Sequence, residues 1–475
     1  MKRADRDGEL NNLALKAGFF YVLTQLIVRG ITFITTPIYT RLVSTEQYGQ
    51  LRVYESWLLI LVPLMSLGLY RSLEKAKIDF GDKYDEYVSS VQSLSYISIS
   101  VFALFFLILY KPISTFLGMN VFLFTVMFLY IFSYTSTLFY QRREKQKMQY
   151  KNVTLITTLT MLPATLLSIA LLYLGNQWGY EKYLVELRVG GYYFSQILVG
   201  FFLMFLIYRQ GKLLYKKSYW KYGLLYSLPL IPEQISIQIM NQSDKIMIQK
   251  MVGAESAGIF ALGTTISFIM WVIEDSVWNA WQPWLYEKIA RKEERDVEKP
   301  WLRIAIIFGI MTILIVIVAP EAILILGGKE YSMARYLVAP MLVGTLFRFF
   351  SYIYSAMQNY YMKTQYVAGG TIFAMILNVI LNYVCIIQWG YQAAAYTTAF
   401  SYFMLMLVQG VLEKRVTGDR IIPLWKMLVI SLAILVLSIG AMHMFSVNWI
   451  VRWCIACIIG VVLLLTQIPN LKKHE

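Results

Sequence analysis

A chain of 475 residues that is 58% hydrophobic and only 15% charged has more apolar surface than a water-soluble fold can bury. The composition therefore excludes a soluble enzyme and predicts an all-α, polytopic integral membrane protein. The net charge of +15 does not indicate a nucleic-acid partner, because the basic residues lie in short loops and form no basic domain.

Apolar runs long enough to cross a hydrocarbon core of about 30 Å recur along the chain, and they predict about 14 transmembrane helices. In chain order the predicted spans are 12–40, 51–73, 88–110, 119–141, 152–175, 185–208, 222–250, 256–285, 301–320, 335–360, 366–389, 392–412, 424–446 and 449–468. The hydrophilic first residues lack the features of a cleaved signal peptide, so the first span is expected to stay in the protein.

Basic residues are distributed unevenly between the predicted loops. Loops after even-numbered spans carry the clustered Lys and Arg, as in QRREKQK (141–147) and EKIARKEER (287–295), whereas loops after odd-numbered spans are nearly free of them. Lys and Arg accumulate in cytoplasmic loops of membrane proteins. The pattern therefore predicts a multi-pass protein with both termini in the cytoplasm.

Two short matches within the chain indicate an internal duplication. RLVSTEQYGQ (41–50) after span one resembles KMVGAESAGI (250–259) after span seven, and KQKMQY (145–150) after span four resembles NYYMKTQY (359–366) after span ten. Both pairs are separated by an even number of spans, so the two halves would have the same orientation. This is typical of transporters built from parallel repeats.

The duplication predicts the domain organisation. We expect an N-terminal transmembrane lobe of six spans at 1–215, a parallel C-terminal lobe of six spans at 216–415 and two additional transmembrane helices at 416–475. Gly49 and Gly258 occupy equivalent positions in the first match and are expected in turns between helices, where glycine tolerates positive φ.

Polar side chains inside the spans share single helix faces, and because such groups are costly in hydrocarbon we expect them to line a central cavity. The candidate substrate-binding residues are Gln25, Arg29, Arg52, Trp271, Trp278 and Arg348. The candidates for coupling an ion or stabilising a lobe are Glu233, Asp244, Lys245 and Asp275. Each of these residues also has a purely structural interpretation. Arg52 can extend to the lipid head groups, Asp244 can pair with Lys245, and a tryptophan can pack against its neighbours.

Other residue patterns argue against catalysis. Cys454 and Cys457 form a C-x-x-C inside an apolar span, without a His or Asp nearby, and are expected to be ordinary packing residues. His443 and His474 are too scattered for a metal site. No predicted loop is long enough to form a catalytic domain. We therefore expect no enzymatic activity, no catalytic residue, no cofactor and no metal.

Four motifs are distinctive. They are TPIYTRLVSTEQYGQL at the end of span one, SLPLIP at the start of span seven, NQSDKIMIQKMVGAESAGIFAL through the end of span seven, and NVILNYVCIIQWGYQAAAY over spans eleven and twelve. Together they resemble the polysaccharide flippases of the multidrug/oligosaccharidyl-lipid/polysaccharide exporter superfamily, over nearly the whole chain.

The resemblance implies two lobes around a cavity and transport of an oligosaccharide on undecaprenyl pyrophosphate to the outer leaflet of a bacterial cytoplasmic membrane, by alternating access. Arginines of the N-terminal lobe would bind the pyrophosphate, and Arg29 and Arg52 are placed for that role. Asp244 matches the acid that the family carries in span seven, with Lys245 where Arg is common. Membrane lipids, a polysaccharide polymerase and a coupling proton or sodium ion are the further expected partners.

Two other functions stay open at this point. A multidrug or cation exporter of the same architecture would rely on Glu233, Asp244, Glu274 and Asp275 rather than on Arg29. A membrane polymerase or ligase would act on the same glycolipid, although the lack of a long external loop argues against it.

Overall fold

A computed structural model describes residues 28, 30–418 and 420–471, with side chains described up to residue 462. This part of the chain is almost entirely helical and contains no strand, which confirms the predicted all-α class. Ten of its helical segments are long and apolar enough to cross a membrane. The multi-pass architecture is therefore supported, while the count of fourteen spans stays a prediction.

The helices follow one another with short connections. The described part of the first helix, α1, covers residues 30–42. It is followed by α2 (Thr45–Met65), α3 (Leu73–Phe80), α4 (Tyr84–Ile108), α5 (Tyr110–Leu117), α6 (Val121–Gln146), α7 (Tyr150–Gln177), α8 (Leu184–Gly211) and α9 (Lys217–Ser227). The chain continues with α10 (Ile231–Met251), α11 (Ala254–Ala290), α12 (Glu298–Gly327), α13 (Arg335–Tyr360), α14 (Thr364–Trp389), α15 (Ala393–Thr417), α16 (Leu424–His443) and α17 (Trp449–Leu471).

Short polar residues start two of the helices in the first half of the chain. Helix α2 begins after Ser44, whose side chain accepts a hydrogen bond from the backbone N–H of Gln47, and the Gln47 side chain accepts one from the backbone N–H of Ser44. Asn120 caps α6 in the same way by accepting from the backbone N–H of Leu123 at 3.0 Å. These contacts satisfy N–H groups that a helix start leaves without an internal partner.

The two glycines of the duplicated motif do not lie in turns, so that prediction is wrong. Gly49 is buried within α2, and Gly258 is buried within α11. The turn between α10 and α11 uses Gly253 instead, at a φ of 139° that side chains rarely adopt. Helix α2 also ends at Met65 rather than at residue 73, and the chain then turns at Gly68 with a φ of 54°.

The chain divides into two compact units, Met1–Gln238 and Ile239–Glu475, and the boundary falls within α10. In the first unit, α8 packs against α6 and α7, and α4 packs against α6 and α8. Helices α6 and α8 approach so closely that a Cβ atom at Gly200 would lie 2.4 Å from the carbonyl oxygen of Ser133. This contact fixes the spacing of two helices that line the site described below.

In the second unit, α13 and α15 form the tightest pair, with α14 against α15 and α11 against α13. A Cβ atom at Gly344 of α13 would lie 3.1 Å from the Cα atom of Ala399 on α15. Helices α16 and α17 pack against α12, and the buried Arg452 of α17 forms an ion pair with Glu321 of α12. The last two helices are therefore part of this unit. The predicted lobes at 1–215 and 216–415 remain predictions.

Candidate functional site

The first compact unit contains a cavity of about 700 Å³. Its walls come from α1, α2, α6, α7, α8 and the beginning of α10. The charged residues in its described lining are four bases, Arg52, Arg142, Lys145 and Arg188, and one carboxylate, Glu55. The described lining of this cavity is therefore cationic.

The neutral lining of this cavity is rich in groups that suit sugars. It contains six tyrosines, six threonines and four glutamines: Tyr39, Tyr70, Tyr130, Tyr134, Tyr192, Tyr193, Thr32, Thr35, Thr137, Thr157, Thr160, Thr165, Gln141, Gln196, Gln234 and Gln238. Tyrosine rings offer flat apolar faces with a polar edge. Hydroxyl and amide groups both donate and accept hydrogen bonds, as sugar hydroxyls do.

One carboxylate is shared between two arginines in the cavity wall. Arg52 Nη1 donates to Glu55 Oε2 at 2.9 Å, one helical turn along α2. Arg188 Nη2, from α8, donates to the other oxygen, Glu55 Oε1, at 2.6 Å. We call these three residues the arginine triad. Its net charge is positive, because one acid stands against two bases.

Arg188 is the most buried member of the triad. Its side chain is buried, with the residue 6% exposed, yet it lines the cavity. Its guanidinium carbon lies 4.5 Å from the ring centroid of Tyr192 and 5.2 Å from that of Tyr39. Nη1 has no hydrogen-bond partner within the described part of the chain. A buried guanidinium with an unused donor can bind an additional anion.

Arg52 was among the candidates predicted from the sequence, whereas Arg188 was not. A signal was present, since Arg188 is a charged residue inside the predicted span 185–208. What it contacts depends on the packing of α8 against α2, and the positions of these residues along the chain do not show that packing.

The remaining bases lie towards the other end of the cavity. Arg142 and Lys145 belong to the last turns of α6, whereas the arginine triad comprises Arg188 in the second turn of α8 and two residues near the middle of α2. The beginnings of α6 and α8 are adjacent, because Asn120 Nδ2 donates to Glu186 Oε1 at 2.7 Å. Arg142 is also paired with Glu74. The cavity therefore has a cationic group at each end.

Two predicted substrate-binding residues, Gln25 and Arg29, lie outside the described residues. The part of α1 that follows them lines the cavity through Ile31, Thr32 and Thr35.

The second unit holds a different cluster around Arg348 of α13. Arg348 Nη2 lies 3.4 Å from Glu274 Oε2 and 3.5 Å from Asp275 Oδ1, both on α11. Its guanidinium carbon also lies 4.8 Å from the ring centroid of Trp271. Glu274 is fully buried, and its Oε1 has no hydrogen-bond partner among the residues that the structure describes. Two acids share one base here, so this cluster is acidic.

Aromatic residues continue this cluster along α11. The ring of Trp278 lies 5.4 Å from the ring of Tyr352, and the Tyr352 hydroxyl donates to Asp275 Oδ1 at 3.1 Å. Trp271 and Trp278 are both half-buried, so part of each ring is accessible. Both predicted sugar-stacking residues thus lie on the same helix face as an acid.

Asp244 of α10 lies in a separate polar cluster of the second unit. Its buried carboxylate accepts hydrogen bonds from Asn382 Nδ2 at 2.6 Å and from Thr398 Oγ1 at 2.8 Å. Asn382 Nδ2 also donates to Asn378 Oδ1 at 3.2 Å. The carboxylate is thus held by neutral donors of α14 and α15, while the adjacent Lys245 donates to Gln242 at 2.7 Å.

Glu233 lies in the first turn of α10 and is half-buried. It belongs to the first compact unit, whereas Asp244 belongs to the second.

A sequence profile of the family described as "Polysaccharide biosynthesis protein" matches residues 14–288, which is more than half of the chain. The chain belongs to this family. Among curated relatives, this chain is similar to an "Uncharacterized membrane protein" of Haemophilus influenzae. The two are 24% identical over 346 residues, which cover 70% of this chain and 80% of the relative.

Two solved structures are similar to this chain in fold. A lipid II flippase, MurJ, in an inward closed conformation aligns with a TM-score of 0.67 and 15% identity over 96% of this chain and 100% of its own. An inward-facing multidrug resistance MATE family transporter of the MOP superfamily aligns with a TM-score of 0.63 and 13% identity over 85% of this chain and 98% of its own. These likenesses confirm the predicted class of polytopic transporter folds.

Proposed function

We propose that this protein is a flippase that moves an oligosaccharide repeat unit, linked to undecaprenyl pyrophosphate, from the inner to the outer leaflet of a bacterial cytoplasmic membrane for surface polysaccharide assembly. The observation that carries the proposal is the cationic, tyrosine-lined cavity of the first unit. A pyrophosphate group cannot cross hydrocarbon uncovered, because an unpaired charge there costs several kcal/mol or more. Guanidinium groups bind phosphate oxygens with paired donors.

The size and lining of the cavity fit such a head group. Its volume of about 700 Å³ lies within the range of small-molecule sites, which are about 300–1,000 Å³. The arginine triad would bind the pyrophosphate, and the tyrosines, threonines and glutamines would contact sugars. The polyprenyl tail can stay in the bilayer while the head group crosses, so the protein needs no catalytic step and acts by alternating access.

The residue roles follow from these contacts. We assign Arg52 and Arg188 to the pyrophosphate, and we retain Gln25 and Arg29 on their sequence positions alone. Trp271 and Trp278 are proposed to stack on sugar rings. Arg348 is assigned to neutralising the acids of α11, because two carboxylates already share it.

Ion coupling is proposed for the acids outside the cavity. Asp244 is the main candidate, because its carboxylate is buried and is held by the neutral donors Asn382 Nδ2 and Thr398 Oγ1, and buried carboxylates inside a membrane commonly take part in proton or ion transfer. Glu233 and Asp275 are further candidates, and Lys245 is assigned to stabilising the lobe. A polysaccharide polymerase is the proposed protein partner, since it would consume the flipped repeat units.

A second candidate function is export of drugs or other cations. The acidic cluster of Glu274, Asp275 and Arg348, with its flanking tryptophans, is the specific observation that favours it. Cations bind to acids and to aromatic faces.

A deletion strain separates the two functions. The flippase proposal predicts loss of surface polysaccharide, accumulation of lipid-linked repeat units in the membrane and unchanged drug sensitivity. Complementation with the gene should restore the polysaccharide. Changed drug sensitivity with normal polysaccharide would instead support the exporter.

A further inference from the structure

We propose that Glu55 is a resident counter-ion that the transported anion displaces from Arg52 and Arg188, and that Glu55 takes up a proton when it is displaced. This inference rests on the proposed anion site and adds a regulation to it: binding of the phosphate-containing head group is linked to proton uptake at the same place.

The geometry places one carboxylate where an anion would have to bind. Both Glu55 oxygens are engaged, one by Arg52 at 2.9 Å and the other by Arg188 at 2.6 Å. The same two guanidinium groups line the cavity, and Arg188 retains one donor without a partner among the described residues. When a phosphate group enters the cavity, Arg52 and Arg188 are therefore already paired with Glu55. It can use the remaining donor first, but full engagement of both arginines requires Glu55 to leave.

The side chains around Glu55 determine whether it takes up a proton once it is displaced. The titratable side chains that face it, its two arginines or the tyrosines around them from the described helices are Tyr39 of α1, Tyr48, Arg52 and Tyr54 of α2, Tyr130 and Tyr134 of α6, and Arg188, Tyr192 and Tyr193 of α8. Each tyrosine carries a hydroxyl group that can donate one hydrogen bond. Both cations of this set would be engaged by the anion.

A displaced carboxylate would then stand beside a multiply charged phosphate group in a partly desolvated wall. Like charges at such distances repel strongly where water is scarce. Uptake of one proton by Glu55 removes this repulsion and leaves a carboxyl group that can donate to the anion. Release of that proton would restore the two ion pairs and expel the anion, so that Glu55 promotes release as well as competing with binding.

The test measures proton uptake directly. Wild-type protein in nanodiscs is titrated with inorganic pyrophosphate by calorimetry, in two buffers that differ in ionisation enthalpy, and Glu55→Gln is treated in the same way. Pyrophosphate itself exchanges protons, but its contribution is common to both proteins. We expect the wild type to take up about one proton more per pyrophosphate than the variant. The variant should also bind more tightly, because no resident anion competes. Glu46→Gln, an exposed site on the same helix, should match the wild type.

The outcomes separate this inference from the function on which it rests. Equal proton uptake by wild type and Glu55→Gln, with both binding pyrophosphate, overturns the inference and leaves the anion site standing. Absence of binding to both folded proteins overturns the proposed anion site. If Glu55→Gln does not fold, infrared difference spectra of the wild type decide: a new protonated carboxyl band on adding pyrophosphate supports the inference, and its absence overturns it.

Discussion

Arg188 Nη2 lies 2.6 Å from Glu55 Oε1, although 133 positions of sequence separate the two residues. The contact joins α8 to α2 in the wall of the cavity. Replacing one member of a buried ion pair costs more than the pair itself contributes, because the remaining charge is left unpaired. Arg188 therefore has a structural role beside its proposed binding role, and variants must separate the two.

Conservative and neutral replacements of Arg188 should have different effects on polysaccharide export. Arg188→Gln removes the charge and should lower export at least about tenfold, since a hydrogen bond to a charged group contributes about 1.5–3 kcal/mol. Arg188→Lys should retain a larger part of the activity. Arg291→Gln, which breaks an exposed pair with Glu287, is the matched control and should leave export unchanged. Surface polysaccharide is measured at equal protein abundance. Equal export by Arg188→Gln and the control would remove Arg188 from the binding site.

Substitution of Gly200 tests the helix packing that positions α8. Gly200→Ala places a Cβ against the backbone of Ser133, where neither helix can yield locally, and should destabilise the protein by about 1–3 kcal/mol. Gly369→Ala provides the control, because a Cβ there meets no atom within 4 Å. Thermal unfolding in detergent compares the two. Equal stability of Gly200→Ala and Gly369→Ala would contradict the close approach of α6 and α8.

Arg348 should be essential to the stability of the second unit. Arg348→Met leaves the buried Glu274 without its base and should cost about 3–5 kcal/mol. Adding Glu274→Gln to that variant removes the unpaired charge and should recover most of the loss. Unfolding transitions of the single and double variants measure this coupling. If the double variant is no more stable than Arg348→Met, the ion pair between Arg348 and Glu274 does not account for the stabilising effect of Arg348.

Asp244 should carry the dependence of the protein's thermal stability on a coupling ion when no transported anion is bound. The wild type is expected to unfold at a higher temperature when sodium is added or the medium is acidified, because an ion bound only to the folded state stabilises it. Asp244→Asn keeps one acceptor oxygen, which can serve Asn382 or Thr398, but loses the charge, so it should lose this response. A variant that still responds to the ion would place the coupling site elsewhere, and an unresponsive wild type would leave Asp244 with the lobe-stabilising role.

Much of the helical architecture was predictable because hydrophobic length alone determines which segments can cross a membrane. The sequence also placed Arg52 and Glu55 one turn apart, since neighbours on one helix follow from its period. The partners of Asp244 on α14 and α15 were not predictable in this way, because they depend on how helices pack. The same holds for Arg188, which becomes a candidate only once α8 is known to lie against α2.

The prediction that Gly49 lies in a turn was wrong for a physical reason. Glycine is favoured both in turns with positive φ and at places where helices approach closely, and a single sequence does not distinguish these uses. Gly49 is buried inside a helix, whereas Gly253 has the positive φ expected of a turn.

The most direct test of the central proposal is translocation by the purified protein. Proteoliposomes containing a fluorescent oligosaccharide on undecaprenyl pyrophosphate are treated with an external reagent that quenches only outward-facing label, and the accessible fraction is followed in time. We predict transfer between leaflets by the wild type, transfer slowed at least about tenfold by Arg188→Gln, and wild-type rates for Arg291→Gln. No transfer above that of protein-free liposomes, with protein shown to be folded and correctly inserted, would contradict the proposed flippase.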